Sequence, residues 1–453
     1  MRYFIQTHGC QMNTSDSERV ASVLERLGYE KAGLINEADM LVFNTCSVKQ
    51  KAEDKVLGLR KSLRALHKEN QALKVAITGC MVRSTSTQKT ETKVDELLRR
   101  MPEVDFVFRI DEVAKLPKLL KEVDPTLNFE DQLDEGTLEN YFKIAPKKGN
   151  NFSVFVPVST GCDKFCTYCI VPFTRGREVS RDLHDIVAEC ARHVAEGAVE
   201  ITLVGQTVNS YGLSFTDRKS GKFADYGKNP FAALLREVDK LSAQGLKRLR
   251  FTSPHPRDFH DELIEALASL KTICPYVHMP VQSGDDRMLR RMNRNYKTEE
   301  YKTIMRKIQA AIPDCAITTD IIVGFPGETD EEFENSYKMY EEMQWDLTYI
   351  SRYSPRKGTY SEKNLADDIT PAVKAQRWHR LNDLLREIST KKHNALAGKT
   401  LEVLVSSQIS ETCIGRSREF KEVHFKSGRP LLGQIVDVKI TEAREFLLVG
   451  ELL

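Results

Sequence analysis

Apolar residues in the first hundred positions come in short runs separated by stretches with helical spacing. The run "RYFIQTHGC" is β-rich and ends in Gly9-Cys10, and "SDSERVASVLERLGY" behind it has the three-to-four-residue apolar period that predicts an amphipathic helix. Ser15 with Glu18 fits a capping box at the start of that helix, and Gly28 fits its stop. The alternation then recurs. "DMLVFNTCSV" predicts a strand ending at Cys46, "EDKVLGLRKSLRALHKE" a charged helix, and "LKVAITGC" a third strand ending at Cys80. Strands alternating with helices build a parallel sheet, whose carboxyl ends share one crevice. This order brings Cys10, Cys46 and Cys80, spaced by 36 and 34 residues, to a common edge.

A polar stretch near residues 119–150, containing "EVDPTLNFEDQLDEG" and "PKKGN", interrupts the pattern and marks a domain boundary. Beyond it "FSVFVPVSTGC" opens a second series, continued by "VEITLVG" from 199, "KRLRFTS" from 247, "YVHMPVQ" from 276, "AITTDIIVGF" from 316 and "LTYISRYS" from 347. Six strand–helix repeats predict a partial (β/α)6 barrel, on which chemistry sits at the carboxyl ends of the strands. The stretch "CDKFCTYC", Cys162 to Cys169, falls just after the first of them. Past about residue 387 the runs become short and alternating, with Gly415, Gly428 and Gly433 in the turns, which predicts a small β-barrel. The expected fold is α/β: a parallel-sheet domain over 1–118, a linker over 119–147, a central barrel over 148–386 and the small β-barrel over 387–453.

Composition narrows the chemistry. At 453 residues and 41% hydrophobic content the chain fills two or three cores, and a net charge of +2 neither suggests nor excludes RNA. The N-terminus lacks a charged region followed by an apolar run, and nowhere are there about eighteen consecutive apolar residues, so the reading is a soluble, cytosolic protein without membrane contact. Ten cysteines in such a chain read as ligands or catalysts rather than disulfides. "CDKFCTYC" holds three thiols, and a closed zinc site, the alternative, needs a fourth ligand, for which the next downstream donors are His184 and Cys190 in the following helical pattern. Three thiolates can instead hold three irons of a 4Fe-4S cluster and leave the fourth open. For Cys10, Cys46 and Cys80 a buried-core role is the alternative. Cys190, Cys274, Cys315 and Cys413 show no ligand spacing, and His8, His255 and His278 sit near strand ends without an assignable role. Arg287, Arg290, Arg291 and Arg294 recur at helical spacing, and Arg175, Arg177 and Arg181 lie beside the clustered thiols; each group either meets phosphates or substrate, or pairs with acids on a solvated face.

The spacing of Cys162, Cys166 and Cys169, with Tyr168 before the last, resembles the radical S-adenosylmethionine enzymes. With "GCQMN", "NTCSV", "TGC" and "GCDKFCTYCIVPFTRGREVSR" the resemblance runs essentially end to end to the methylthiotransferases. "LVGQTVNSYG", "FTSPHPRDF", "VHMPVQSGDDRMLRRMNRNY", "DIIVGFPGET" and "YSPRKGT" look like the MiaB-type branch that acts on tRNA. This resemblance implies a radical cluster on Cys162, Cys166 and Cys169, an auxiliary 4Fe-4S cluster on Cys10, Cys46 and Cys80, and S-adenosylmethionine as both radical source and methyl donor. It implies methylthiolation at adenine C2 of N6-isopentenyladenosine, position 37 in the tRNA anticodon stem-loop, by a monomer drawing on an electron donor such as flavodoxin or ferredoxin. Tyr168, Gly205, Gln206, Ile322 and Gly324 are the implied cofactor contacts. The family's paired glycines and Glu are not reproduced at Gly205-Gln206, and Asp320 replaces a Gly of the adenine-side motif. The C-terminal barrel resembles the OB-like TRAM module, in which Arg416, Arg418, Lys421 and Lys426 would track phosphates. Methylthiolation of a ribosomal-protein Asp or of threonylcarbamoyladenosine is the same-chemistry alternative. A noncatalytic iron-sulfur or zinc RNA-binding protein is the alternative from another class.

Overall fold

The computed structural model describes residues 1–47, 50–87, 96–127, 141–146 and 152–453. The N-terminal unit is a sheet ordered β2-β1-β3-β4-β5, with every neighbouring pair parallel. Its strands are β1 (Arg2–His8), β2 (Glu30–Lys31), β3 (Met40–Thr45), β4 (Lys74–Thr78) and β5 (Phe106–Val107). Central β3 is buried throughout because helices cover both faces: Met40 and Val42 pack into one cluster, Leu41 and Phe43 into the other. Edge strands β2 and β5 span two residues each, too short to leave a periodic signal.

Two details differ from the sequence expectation. The first helix begins at Gln11 with Cys10 at its N-cap, and the Asn13 side chain accepts the Cys10 backbone N–H at 3.2 Å, where a Ser15–Glu18 capping box was expected. The chain turns immediately after β1, so the first free amides come five residues earlier, and Ser15 sits inside the helix accepting from Arg19 at 2.8 Å. The expected boundary at 118 falls inside a helix, Leu116–Val123. Tyr141 and Ile144, expected in the linker, pack into the N-terminal core; residues 128–140 of that polar stretch and the expected barrel start at 148 lie outside the described residues.

The central unit runs β6 (Ser153–Pro157), an antiparallel pair β7 (Ser159–Thr160) and β8 (Val179–Ser180), then β9 (Glu200–Val204), β10 (Arg248–Phe251), β11 (Tyr276–His278), β12 (Ala316–Val323) and β13 (Leu347–Arg352). Two parallel sheets, β10-β9-β6 and β11-β12-β13, are joined by a parallel bridge from Leu249 to Ile273, which gives a six-stranded partial barrel. Among the described residues β6 and β13 do not pair, so the barrel is open on one side. The N-terminal unit spans that opening. Its first helix lies on β6, with Ser15 Oγ donating to the Phe155 carbonyl at 3.5 Å, while Arg83 donates to the Lys357 carbonyl beyond β13.

The C-terminal unit is a closed barrel ordered β14-β15-β16-β18-β17, from β14 (Thr400–Ile409), β15 (Thr412–Ser417), β16 (Glu422–Lys426), β17 (Ile435–Ala443) and β18 (Leu448–Leu452). The preceding helix, Pro371–Asn394, carries through the expected boundary at 386, since no Gly or Pro interrupts it before Gly398. No described helix is long and apolar enough to cross a membrane.

Candidate active site

Each N-terminal cysteine closes a strand at the carboxyl edge of the sheet. Cys10 follows β1, Cys46 follows β3 with its backbone N–H on the His8 carbonyl at 2.8 Å, and Cys80 follows β4. Gly79 makes the last turn possible: at φ +91° its Cα packs where a Cβ would lie 2.4 Å from Asn44 Oδ1. Cys46 hydrogen-bonds the Cys80 thiol and, with Arg175 and against burial, pulls it down to about 6. Burial and the charge of Cys80 push Cys10 up, opposed by the amides of the helix start and by Arg175. The three thiols are therefore within electrostatic reach of one another. Among the described residues no three His, Cys, Asp or Glu side chains close around a single ion position.

The second triad sits on the loop between β7 and β8, which that antiparallel pair ties at its base. Cys162 donates its backbone N–H to the Gly176 carbonyl at 3.1 Å, and Cys169 to that of Cys166 at 2.9 Å. Burial pushes the Cys162 thiol up to about 11 and the Cys169 thiol still higher. Each outer contact brings a polar partner: Thr207 Oγ1 lies 3.4 Å from Cys162 Sγ, and Arg294 Nη1 donates to Cys166 Sγ at 3.4 Å. Arg175, on the same loop, donates its Nε to Cys80 Sγ at 3.2 Å, so the two triads meet across the junction of the units.

The remaining predicted residues line the same mouth. Tyr168 packs edge-to-face on Phe325 at 6.4 Å, and Ile322, at the end of β12, joins the same small cluster. Gly205 follows β9, where a Cβ would lie 3.0 Å from Ser159 Oγ; Gln206 is next, half-buried. Gly324 follows β12 at φ +69°, donates to Glu328 Oε2 at 2.6 Å and is packed against the Lys374 stem, so scaffold contacts already occupy it. Sequence reasoning missed Glu178. It is buried behind Cys162, one oxygen taking the Ser210 hydroxyl and Oε2 without a partner, and its carboxyl is raised to about 7 by burial. Its place between the thiol loop and the β9 loop leaves no local pattern in the chain.

Most of the predicted phosphate-binding cations are used internally. Arg175 pairs with Asp16 and Arg181 with Glu189; Arg287 pairs with Glu332, and Arg294 is buried on Cys166 and Tyr296. Arg416 pairs with Glu422, Lys421 with Asp346, and Arg418 donates to the Ile273 carbonyl at 2.7 Å. Arg175, Arg181 and Arg294 are buried with their partners and Lys421 nearly so, whereas Arg287 and Arg416 pair with acids at the surface. Cys190, Cys274, Cys315 and Cys413 are buried.

Three family models match the chain: an uncharacterized protein family, UPF0004, over residues 2–109, the Radical SAM superfamily over 156–340 and the TRAM domain over 395–453. The chain is 42% identical to the tRNA-2-methylthio-N(6)-dimethylallyladenosine synthase of Geobacillus kaustophilus, over 100% of this chain and 82% of that protein. It is 40% identical to the enzyme of that name from Bacillus subtilis, over 100% and 86%. In fold it is similar to the radical S-adenosylmethionine methyltransferase TsrM of Kitasatospora setae, with TM-score 0.58 at 14% identity over 87% of this chain and 90% of that one. One thiol triad on an open parallel barrel and a second on the sheet docked against it, carried by a chain this similar along its whole length, place it: the chain belongs to the family of the tRNA-2-methylthio-N(6)-dimethylallyladenosine synthases, radical S-adenosylmethionine enzymes.

Proposed function

We propose that the chain methylthiolates C2 of the adenine in N6-isopentenyladenosine at position 37 of tRNA, as a cytoplasmic monomer supplied with electrons by a flavodoxin- or ferredoxin-type donor. The observation that carries this reading is the confrontation of two open thiol triads, with Arg175 of the loop that carries one donating to Cys80 Sγ of the other at 3.2 Å. Their donor set fits iron-sulfur clusters: three thiols each, with guanidinium donors of Arg175 and Arg294 on a sulfur of each triad to balance thiolate charge. On this reading Cys162, Cys166 and Cys169 hold the radical cluster, and Cys10, Cys46 and Cys80 the auxiliary one. When bound, the clusters and S-adenosylmethionine supply one-electron cleavage of a sulfonium bond, a methyl group and a transferable sulfur, chemistry suited to an unactivated aromatic C–H.

The chain's own residues orient and exclude. Buried Glu178, with one unpartnered carboxylate oxygen, would accept from the ammonium of S-adenosylmethionine, the part taken in relatives by the Glu missing after Gly205. Tyr168 and Ile322 offer a half-buried apolar wall for an adenine face. The N-terminal unit, resting on β6 and reaching Lys357, closes the open side of the barrel and keeps water from the radical. Nucleoside mass spectrometry of tRNA from a strain lacking this protein, with and without a plasmid copy, tests the reading. Isopentenyladenosine should accumulate and its methylthio derivative return with the copy. Unchanged methylthio derivative in the deleted strain would overturn it.

A further inference from the structure

The lumen of the barrel holds a polar group that neither cluster uses. On β12, Thr318, Asp320 and Ile322 alternate with Ile321 and Val323, which belong to the hydrophobic core; the first three therefore share the lumen face. Asp320 pairs in register with Tyr349 on β13, and Thr318 with His278 on β11. The His278 ring is fixed: Nδ1 lies 2.8 Å from Thr318 Oγ1, and the ring meets Tyr349 edge-on at 5.6 Å. Its Nε2 stands 3.5 Å from Asp320 Oδ2, an ion-pair separation longer than a full hydrogen bond. The Asp320 side chain is 34% exposed, and Tyr349, on the strand bordering the open side, is 43% exposed. A carboxylate, an imidazole and an accessible aromatic ring thus converge at one depth, about 6–7 Å below Ile322 and the thiol mouth by the rise of two strand residues.

The foot of the lumen is closed. Phe420, in the turn between β15 and β16, stacks on Tyr276 at 4.8 Å, and Arg250 of β10 donates to the Ser417 and Arg418 carbonyls of the same turn at 2.8 Å each. With the N-terminal unit across the open side, whatever reaches Asp320 therefore comes from the thiol mouth.

From this placement we infer that Asp320, His278 and Tyr349 form the subsite that reads the target base, with Asp320 accepting the exocyclic N6–H of an adenine and Tyr349 meeting its ring. This rests on the function proposed above and names the residues of that site that select the base. An N6-alkylated adenine keeps one N–H, which a carboxylate accepts and which guanine, with a carbonyl there, lacks. Anchoring N6 at the depth of Asp320 turns the other edge of the six-membered ring toward the strand ends, where the thiols lie. Aromatic contact serves a base presented singly from an RNA loop. The group also accounts for Asp320 standing where the adenine-side motif carries a glycine: a side chain here is a contact, not an obstruction.

The test is discrimination rather than affinity alone. Full-length, cluster-loaded protein is titrated by fluorescence anisotropy with two anticodon stem-loops, identical except for adenosine or purine riboside, which lacks the exocyclic nitrogen, at the target position. Wild type should prefer the adenosine loop about tenfold, the effect of one hydrogen bond to a charged acceptor. Asp320→Ala should bind both loops equally, and the isosteric Asp320→Asn, which guards against a folding defect, should lose most of the preference. Tyr349→Ala should weaken both loops alike. A preference that survives Asp320→Ala, or a wild type without one, overturns the assignment while leaving the tRNA reading intact. A wild type that binds neither loop and makes no methylthio product fails both.

Discussion

Arg175 belongs to the loop that carries Cys162, Cys166 and Cys169, yet its Nε donates to Cys80 Sγ at 3.2 Å in the other triad. Its Nη2 pairs with Asp16 at 2.5 Å, and Asp16 also accepts from the Tyr141 hydroxyl at 2.5 Å. Arg175 and Asp16 are almost completely buried. One side chain thus ties the two sulfur sites to one position, a requirement for any chemistry that passes a group between them.

Removing that side chain should be costly. Arg175→Met strands the Asp16 carboxylate without its cation, and breaking a buried pair by deleting one partner destabilises by about 3–5 kcal/mol. Urea denaturation should show that loss, and Asp16→Asn combined with Arg175→Met should recover a large part of it. Additive losses in the double variant would mean that the pair is not coupled. Arg175→Lys keeps the charge but not the fork that reaches both partners, so it should fall between wild type and Met.

The junction also sets the acid limit of the fold. Burial works to raise Glu189, but His193, Arg181 and Arg19 together hold its carboxyl well below the usual range. Arg181 pairs with it at 2.7 Å and Arg19, from the N-terminal unit, at 3.4 Å. A depressed carboxylate contributes stability that is complete above its unfolded value, about 4.3, and is lost as pH falls below that toward the folded one. The melting temperature of the cluster-free chain should therefore fall below about pH 4.5, and Glu189→Gln should be less stable at neutral pH but flatter in acid. An equally steep acid dependence in the variant would assign the transition to other carboxylates.

The strand series and the convergence of Cys10, Cys46 and Cys80 were legible because each depends on local periodicity and on one rule of parallel sheets. The fate of the arginines was not. "TRGREVSR" reads the same whether Arg175 faces RNA or a buried Asp16, because Asp16 is 159 residues away and no periodicity links them. The same holds for Arg416, Arg418 and Lys421, whose partners lie on the central barrel or within their own turn. Charge on a strand announces solvent or a partner, and only the docking of the units decides which.

That docking is open to a direct test at Arg250, which holds Glu200 at 2.7 Å and caps two carbonyls of the C-terminal barrel while nearly wholly buried. Arg250→Ala leaves a carboxylate and two carbonyls with lost partners, and each buried unsatisfied group costs about 1–3 kcal/mol. Limited proteolysis should then release a fragment beginning near residue 395, intact because the closed barrel has its own core. Resistance equal to wild type would show that Phe420 on Tyr276 and Lys421 on Asp346 hold the barrel without Arg250.

The sharpest separation of the two sulfur sites comes from Gly161. It precedes Cys162 at φ +78°, and a Cβ there would lie 2.0 Å from the Arg177 carbonyl oxygen and 2.5 Å from its carbon, backbone atoms that cannot step aside. The β7–β8 pair fixes both sides of this approach, so Gly161→Ala must open the base of the thiol loop. Cys10, Cys46 and Cys80 sit on a different sheet and keep their positions. Reconstituted anaerobically, wild type should carry about eight irons per chain and Gly161→Ala about four, with the loss confined to the cluster that S-adenosylmethionine perturbs in Mössbauer spectra. Eight irons in the variant would mean that the loop tolerates a Cβ. None would mean that the triads assemble as one unit, which the shared Arg175 makes the instructive alternative.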